Sequence, residues 1–474
     1  MRSDSSAPVA GDPGFTPAAL RRALRLSLAD GVAWALMVGL AETYYIAIAV
    51  YLGATPLQLG LTVALPLAFG GVGPLGTLAL LRVGGRRRPV AVAGVIVQVA
   101  TLLLLAYRLA QGRLAVAELI GAICLYQAAG QAAGTAWSSW YGDMVPAATR
   151  GTWFSRRNRL VYAATCVGLV TGGLLMHRLA PGGTGAAGSA GAFALLLGIA
   201  AVARAVSGLL LAAAPEPNFS GLLPRRRAWQ AAGTRRGGTA LRILGLAAVF
   251  HFTVYWASPY FSPFMLTDLG FTYLQYMAVA LSVIVVKALV GPTWGLAADR
   301  SGPRRVFLGS MFVIAIVPLP WVWAHGIPLV VLGQVLSGAA WSGFEVGYLT
   351  LILENSRSRE RPYLFALQSL GNGWMQLSGV MVASLVILPL VGGYREVFAV
   401  SAVGRMLVVL AAPFVLAGLV SGRRALREAV TLRVFGLRAH GGFAVRPVLG
   451  PETDGDADAD ESDGDDAPAP DPMI

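Results

Sequence analysis

Charge is scarce in this chain. Its 474 residues include 37 Lys and Arg and 24 Asp and Glu, 13% charged in all, where a soluble domain carries about 25%. So few polar groups cannot cover a water-facing surface of that size. With 56% hydrophobic residues and a mean hydropathy of +0.64, the chain belongs in lipid. Cysteine is nearly absent: Cys124 and Cys166 both fall inside apolar stretches, which excludes a disulfide framework. The four histidines (His177, His251, His325, His440) are scattered without metal-ligand spacing, so no metal site is expected. Walker A, H-E-x-x-H and G-x-S-x-G strings are missing too, which leaves neither a built-in ATP drive nor soluble-type hydrolysis. No cofactor and no enzymatic activity are expected. Lysine occurs once, at Lys287, and every other base is arginine, a bias that fits a GC-rich genome.

Long apolar runs are what the chain has in abundance. A hydrocarbon core about 30 Å thick takes about 20 helical residues to cross. Runs of that order recur at 27–51, 57–81, 90–110, 114–141, 158–179, 191–214, 241–266, 272–298, 306–325, 328–353, 363–388 and 394–420. They predict an all-α membrane protein with twelve transmembrane helices. The first run is too long for a signal-peptide core and lacks a clear small-residue cleavage site, so it is expected to stay as a helix.

The bases between the runs set the orientation. With both termini cytoplasmic, only Arg108, Arg113, Arg178 and Arg395 lie outside, and Arg204, Lys287 and Arg405 lie within runs; all other bases are inside. The positive-inside rule therefore predicts cytoplasmic termini in the bacterial inner membrane. Basic blocks that alternate with apolar runs are loop anchors rather than one patch, so no nucleic-acid partner is expected.

The polar segments divide the chain. Residues 1–20 are polar and expected to be disordered, 21–214 form a first six-helix bundle, 215–240 a central cytoplasmic linker, and 241–422 a second bundle. Residues 423–474 form a cytoplasmic tail in which ten of the 24 acids fall between Glu452 and Asp471; from about 451 it should be disordered. The halves also repeat. A shift of 217 residues places Leu52-Gly53-x-Thr55-x-Leu57-Gln58 on Leu269-Gly270-x-Thr272-x-Leu274-Gln275, and Gly85-x-Arg87-Arg88 on Gly302-x-Arg304-Arg305. Gly134-Thr-Ala-Trp137-Ser138 is similarly matched by Gly338-Ala-Ala-Trp341-Ser342. Duplicated six-helix units are the architecture of one large transporter class.

Between the eighth and ninth runs stands Gly295-Leu-Ala-Ala-Asp299-Arg300-Ser-Gly302-Pro-Arg304-Arg305. It resembles the G-x-x-x-D-R-x-G-x-R-R loop of the major facilitator superfamily, and the resemblance covers nearly all of residues 20–422. It implies a midplane cavity between two bundles and alternating access by rocking of the halves. It also implies a role for Asp299 and Arg300 in holding an inner gate closed. On physical grounds Gly295 would permit close helix approach, and Asp299 would face the N-terminus of the eleventh helix near Arg361-Pro362. The first half departs from the pattern, with Arg82 at the position matching Asp299; Asp143 is the candidate to pair with Arg82 or Arg86. Arg150-Gly151-Thr-Trp-Phe154-Ser-Arg156-Arg157-Asn158 resembles the R-G-x-x-F-x-x-R-N string of bacterial facilitators with unassigned substrates. Gly168-Leu-Val-Thr-Gly172-Gly173 is read as small-residue helix packing.

Ionisable groups at bilayer depth are costly, roughly 2.5–3.5 kcal/mol each on insertion scales, and are functional candidates by default. The first run carries Asp30, Trp34, Val38, Glu42 and Tyr45 at helical spacing, with Asp30 near the cytoplasmic end as a gate or interface residue and Glu42 deeper. The tenth carries Trp341, Glu345 and Tyr348. Glu42 and Glu345 are candidates for proton coupling or cation recognition, and Lys287 for a counter-charge or an anchor for an anionic group. Arg204 and Arg405 are read as structural. The stripes His251, Tyr255, Ser258, Ser262 and Gln368, Asn372, Gln376 either line a polar cavity or bond between helices. The expectation is a monomeric, proton-coupled secondary transporter of a small molecule, working within the lipid bilayer. The alternatives are a lipid or lysolipid flippase of the same fold, and a non-transporting sensor.

Overall fold

Two turns of one design mark the repeat. Gly53 (φ +72°) and Gly270 (φ +62°) take left-handed backbone that L side chains rarely adopt. Two residues later Thr55 and Thr272 cap the next helix. Each hydroxyl accepts from the backbone N–H of Gln58 or Gln275 at 3.3 Å, and each glutamine oxygen accepts from its threonine N–H at 2.9 Å. The duplicated capping box shows that the 217-residue match is a repeat of structure.

The computed structural model describes residues 16–84, 86–145, 150–181, 188–217, 235–355 and 361–417, and the short segments 435–436 and 444–445. In chain order the long helices are α1 (Pro17–Ala41, extended to Tyr51), α2 (Pro56–Gly70, continued by Gly73–Gly84), α3 (Arg87–Ala110), α4 (Val116–Met144), α5 (Arg150–Leu179) and α6 (Ser189–Ala212). In the second half they are α7 (Arg235–Val254), α8 (Tyr273–Ser301), α9 (Pro303–Ile316), α10 (Ile327–Glu354), α11 (Arg361–Val382) and α12 (Tyr394–Val415). Eleven of the helical stretches are long and apolar enough to cross a membrane. The exception, α4, has 29 residues, but Glu118, Gln127 and Gln131 dilute its apolar character. One departure from an all-α chain is a two-residue antiparallel pairing of Phe435–Gly436 with Ala444–Val445 in the tail. Of residues 1–20, expected to be disordered, 17–20 form the first turn of α1 behind the Thr16 cap; the part before residue 16, like the acidic stretch after 451, lies outside the described residues.

Packing follows the repeat. In the first half α1 packs on α5, α2 on α4 and α3 on α6; in the second, α7 packs on α11, α8 on α10 and α9 on α12. The halves meet through α2 against α11 and α5 against α8, contacts that the same two-fold exchange relates. Large apolar side chains point outward, among them Phe414 (82% exposed) and Leu390 (80%), the reverse of a soluble protein and the mark of a lipid-facing surface. One apolar cluster bridges the halves at the end bearing the Gly53 and Gly270 turns, with Tyr44, Tyr45 and Leu59 joined to Tyr260, Phe264, Tyr273 and Tyr276. Two further large clusters belong to single halves, apart from the 63–67 stretch of α2 that packs on α11.

The small-residue reading of α5 is met in detail. A Cβ on Gly168 would stand 2.6 Å from the Leu36 carbonyl oxygen of α1, and one on Gly39 would run into the Thr165 carbonyl of α5. Gly168→Ala is therefore expected to destabilise the purified protein by about 1–3 kcal/mol through overpacking. Gly198→Ala, whose added methyl meets nothing within 4 Å, should leave the thermal midpoint unchanged.

Candidate functional site

The face of α8 that carries Lys287, Gly291 and Trp294 turns toward α10. Trp294 Nε1 donates to the Ala339 carbonyl at 2.8 Å, and Gly291 lies beside Ser342. One turn before Gly291, Lys287 Nζ donates to Glu345 Oε1 at 2.6 Å, with the two side chains 15% and 13% exposed. Each would be costly alone at bilayer depth. Paired they offset one another, and neither side chain is fully enclosed. Two residues selected separately in the sequence are thus one unit.

Glu42 sits where α1 stops being an α-helix. After Ala41 the chain makes a 3-10 turn over Glu42–Tyr44 before the helix resumes at Tyr45. Tyr126 of α4 donates to Glu42 Oε1 at 2.9 Å and packs edge-on against Tyr45. The Thr43 carbonyl, released by the turn, accepts from Tyr276 of α8 at 3.0 Å, which ties the break in the first half to the second. Trp34 is half-buried against the same core.

Asp30 does not join Glu42. It is 3% exposed inside the first half, where Ser207 of α6 donates to Oδ1 at 2.6 Å and Arg157 of α5 stands 3.7 Å from Oδ2. Arg204 donates to Ser207 at 2.7 Å and to Gln98 of α3 at 2.8 Å. Arg157 also donates to the Ser27 carbonyl and lies 4.1 Å over the Trp137 ring. Asp30, expected as a gate or interface residue, is here the buried counter-charge of Arg157 and is joined to Arg204 through Ser207. Twelve residues of helix put about 18 Å between Asp30 and Glu42, and the 3-10 turn breaks the stripe besides. Arg157, counted in the sequence as a cytoplasmic loop base, is a core residue, 4% exposed. Tyr126, Gln98 and Arg157 were missed, although a glutamine inside an apolar run was a legible signal.

In the second half the stripe from His251 to Ser262 is also broken, because α7 ends at Val254 and Ser258–Tyr260 form a 3-10 turn at Pro259. His251 Nδ1 lies 2.7 Å from the Ala247 carbonyl, and its ring packs against Trp341 and Phe344, inside the half. Tyr255 is fully buried, and Ser262 approaches Tyr276 at 3.4 Å. Gln368, Asn372 and Gln376 do share one buried face of α11. None of the three amides has a hydrogen-bond partner among the described residues.

The loop from α8 to α9 departs from its sequence reading in one respect. A Cβ on Gly295 would meet open space, so close helix approach is not what that glycine serves. Gly302 is the conformational requirement: at φ +86° its N–H bonds the Ala298 carbonyl at 2.9 Å, and α9 starts at Pro303. Arg304 anchors the turn by donating to the Pro413 carbonyl of α12 at 3.2 Å, while Arg300 and Arg305 are exposed. The side chains of Arg82, Asp143 and Asp299 lie outside the described residues. In the first half the acid comes from the start of the linker: Glu216 accepts from the Arg87 N–H at 2.6 Å and stands 3.7 Å from its guanidinium.

The Major Facilitator Superfamily profile matches residues 243–447. No curated protein is similar to the chain by sequence at a significant level. Among solved structures the fold is similar to a mutant of the nucleoside transporter NupG (TM-score 0.63, 13% identity, 83% of this chain and 99% of that one). It is similar as well to the human organic anion transporter MFSD10 (TM-score 0.56, 13% identity, 83% and 99%). A bacterial homologue of the human lysosomal transporter Spinster, in an inward-facing and unoccupied conformation, gives a TM-score of 0.58 at 16% identity over 89% and 98%. The profile matches the second half, the fold is shared along both, and the duplicated turns relate them; the chain is thus similar to the major facilitator superfamily and is, by its apolar helices, a multi-pass membrane protein.

Proposed function

We propose that this protein is a secondary active transporter that carries a small molecule across the bacterial inner membrane by alternating access. The observation that carries this reading is the Lys287–Glu345 pair, an ion pair at membrane depth that is partly accessible and spans two helices. In this reading α4 crosses the membrane as the twelfth helix, both termini are cytoplasmic, and residues 21–214 and 241–422 rock about the α2–α11 and α5–α8 contacts. The apolar cluster shared by the halves then closes the external end, and the conformation is inward-facing. Glu42 and Glu345 take protons, Lys287 provides the counter-charge, and the unbonded amides of Gln368, Asn372 and Gln376 offer hydrogen bonds to cargo. Asp299 and Arg300 belong to the inner gate.

The test is a thermal-stability screen of purified protein against amino acids, sugars, organic anions, cationic drugs and lysolipids at two pH values, followed by uptake of any hit into proteoliposomes. A ligand at 100 times its Kd adds about 2.7 kcal/mol. The expected result is a hydrophilic hit whose accumulation needs a pH gradient. Stabilisation by lysolipids alone would replace this reading with a flippase. A folded protein that answers to nothing would favour a sensor.

A further inference from the structure

A second buried charge site lies inside the second half, away from the Lys287–Glu345 pair. Arg405 of α12 is 2% exposed. Its Nε donates to Ser401 Oγ at 3.0 Å, Nη1 to the Ile314 carbonyl at 3.0 Å and Nη2 to the Val254 carbonyl at 3.1 Å. All three acceptors are neutral, and no carboxylate pairs with it among the described residues. A guanidinium has five N–H donors, so two remain. Burying a cation without a counter-charge is strongly unfavourable.

The group borders a cavity of about 30 Å³ whose polar lining is Ser258, Gln334, Ser337 and Trp341, with no acidic residue. Ser258 is only 6% exposed, and neither it, Gln334 nor Ser337 has a hydrogen-bond partner among the described residues. The space holds one small ion or one water and excludes an organic molecule.

The repeat shows what is missing. Arg204 on α6 has the same role in the first half as Arg405 on α12 in the second, although the two stand 201 rather than 217 residues apart. Arg204 bonds α3 through Gln98 and reaches α1 through Ser207 and Asp30, as Arg405 bonds α9 and α7. By the 217-residue shift the place of Asp30 falls on Ala247. The first half therefore supplies its arginine with a carboxylate, and the second half supplies a donor-lined hole.

From this juxtaposition we infer that the cavity beside Arg405 is a binding site for a small monovalent inorganic anion of halide size, which takes the place of the absent carboxylate. The inference does not depend on transport, since the site lies wholly within one half.

The test compares thermal midpoints of the purified full-length protein in sodium chloride, bromide and gluconate at equal ionic strength and pH; gluconate is too large to enter. The expected result is a midpoint higher by about 2–4 °C in chloride and bromide, a difference that Arg405→Gln abolishes. Should Arg405→Gln fail to fold, the Ser258→Ala/Ser337→Ala double variant should need several-fold more chloride for the same gain. Equal midpoints of the wild type in all three salts would overturn the inference. So would a chloride gain that persists in Arg405→Gln or an unaltered chloride requirement in the double serine variant.

Discussion

Glu345→Gln is expected to reduce gradient-driven uptake at least about ten-fold while the protein still folds. Exchange of substrate across the membrane without a gradient should survive. The Glu345 carboxylate accepts from Lys287 at 2.6 Å, and a carboxamide of the same shape can still take that hydrogen bond but can neither bind nor release a proton. The rival account is that the pair only holds α8 to α10. In that case Lys287→Met/Glu345→Gln, which removes both charges and leaves no buried ion unpaired, should restore what the single change lost. If the pair has the proposed role, the double variant is as stable as wild type and still cannot concentrate substrate. Uptake in proteoliposomes with and without an imposed pH gradient, beside the thermal midpoint, separates the two accounts.

The largest effect on stability is expected at Asp30. Asp30→Asn keeps the shape but leaves Arg157 and Arg204, each 4% exposed, without the one carboxylate that faces both. Removing one partner from a buried ion pair costs about 3–5 kcal/mol; here Arg157 loses its partner, and the Ser207 bridge to Arg204 is weakened as well. The variant should show a sharp fall in thermal midpoint and in the fraction that remains monodisperse in detergent. Combining it with Arg204→Gln should recover a substantial part of the loss, because the two residues share one network through Ser207 and their effects cannot add. A loss of less than about 1 kcal/mol in Asp30→Asn, or no recovery in the double variant, would show that the network is not the stabilising unit described here.

Much of the candidate site was legible before any coordinates. Lys287, Glu345 and Glu42 stand out because a charge inside an apolar run is costly whatever surrounds it, and that cost is visible in one dimension. The repeated Leu52–Gln58 and Leu269–Gln275 strings were legible as a duplication, and the structure shows why they recur: a turn that needs positive φ and an N-cap is specified by residues within six positions of each other. Arg157 misled because a base beside a basic loop reads as an anchor, whereas its long side chain reaches into the core between Ser27, Asp30 and Trp137. Gly295 misled because a glycine near a helix end suggests close packing, whereas among the described residues nothing lies within 4 Å of a Cβ added there.

The sequence by itself determined the solvent, the apolar runs and the existence of a repeat. These follow from hydropathy, charge and local backbone chemistry, which act residue by residue against a slab of lipid. Only the tertiary structure decided which charges meet: Lys287 with Glu345, Asp30 with Arg157 and Ser207, and Arg405 with three neutral acceptors beside a cavity. Such pairings depend on how far each helix is rotated and how closely its backbone approaches the next. Contacts such as Gly39 against Gly168 set those quantities across 129 positions of chain, where hydrophobic periodicity carries no information.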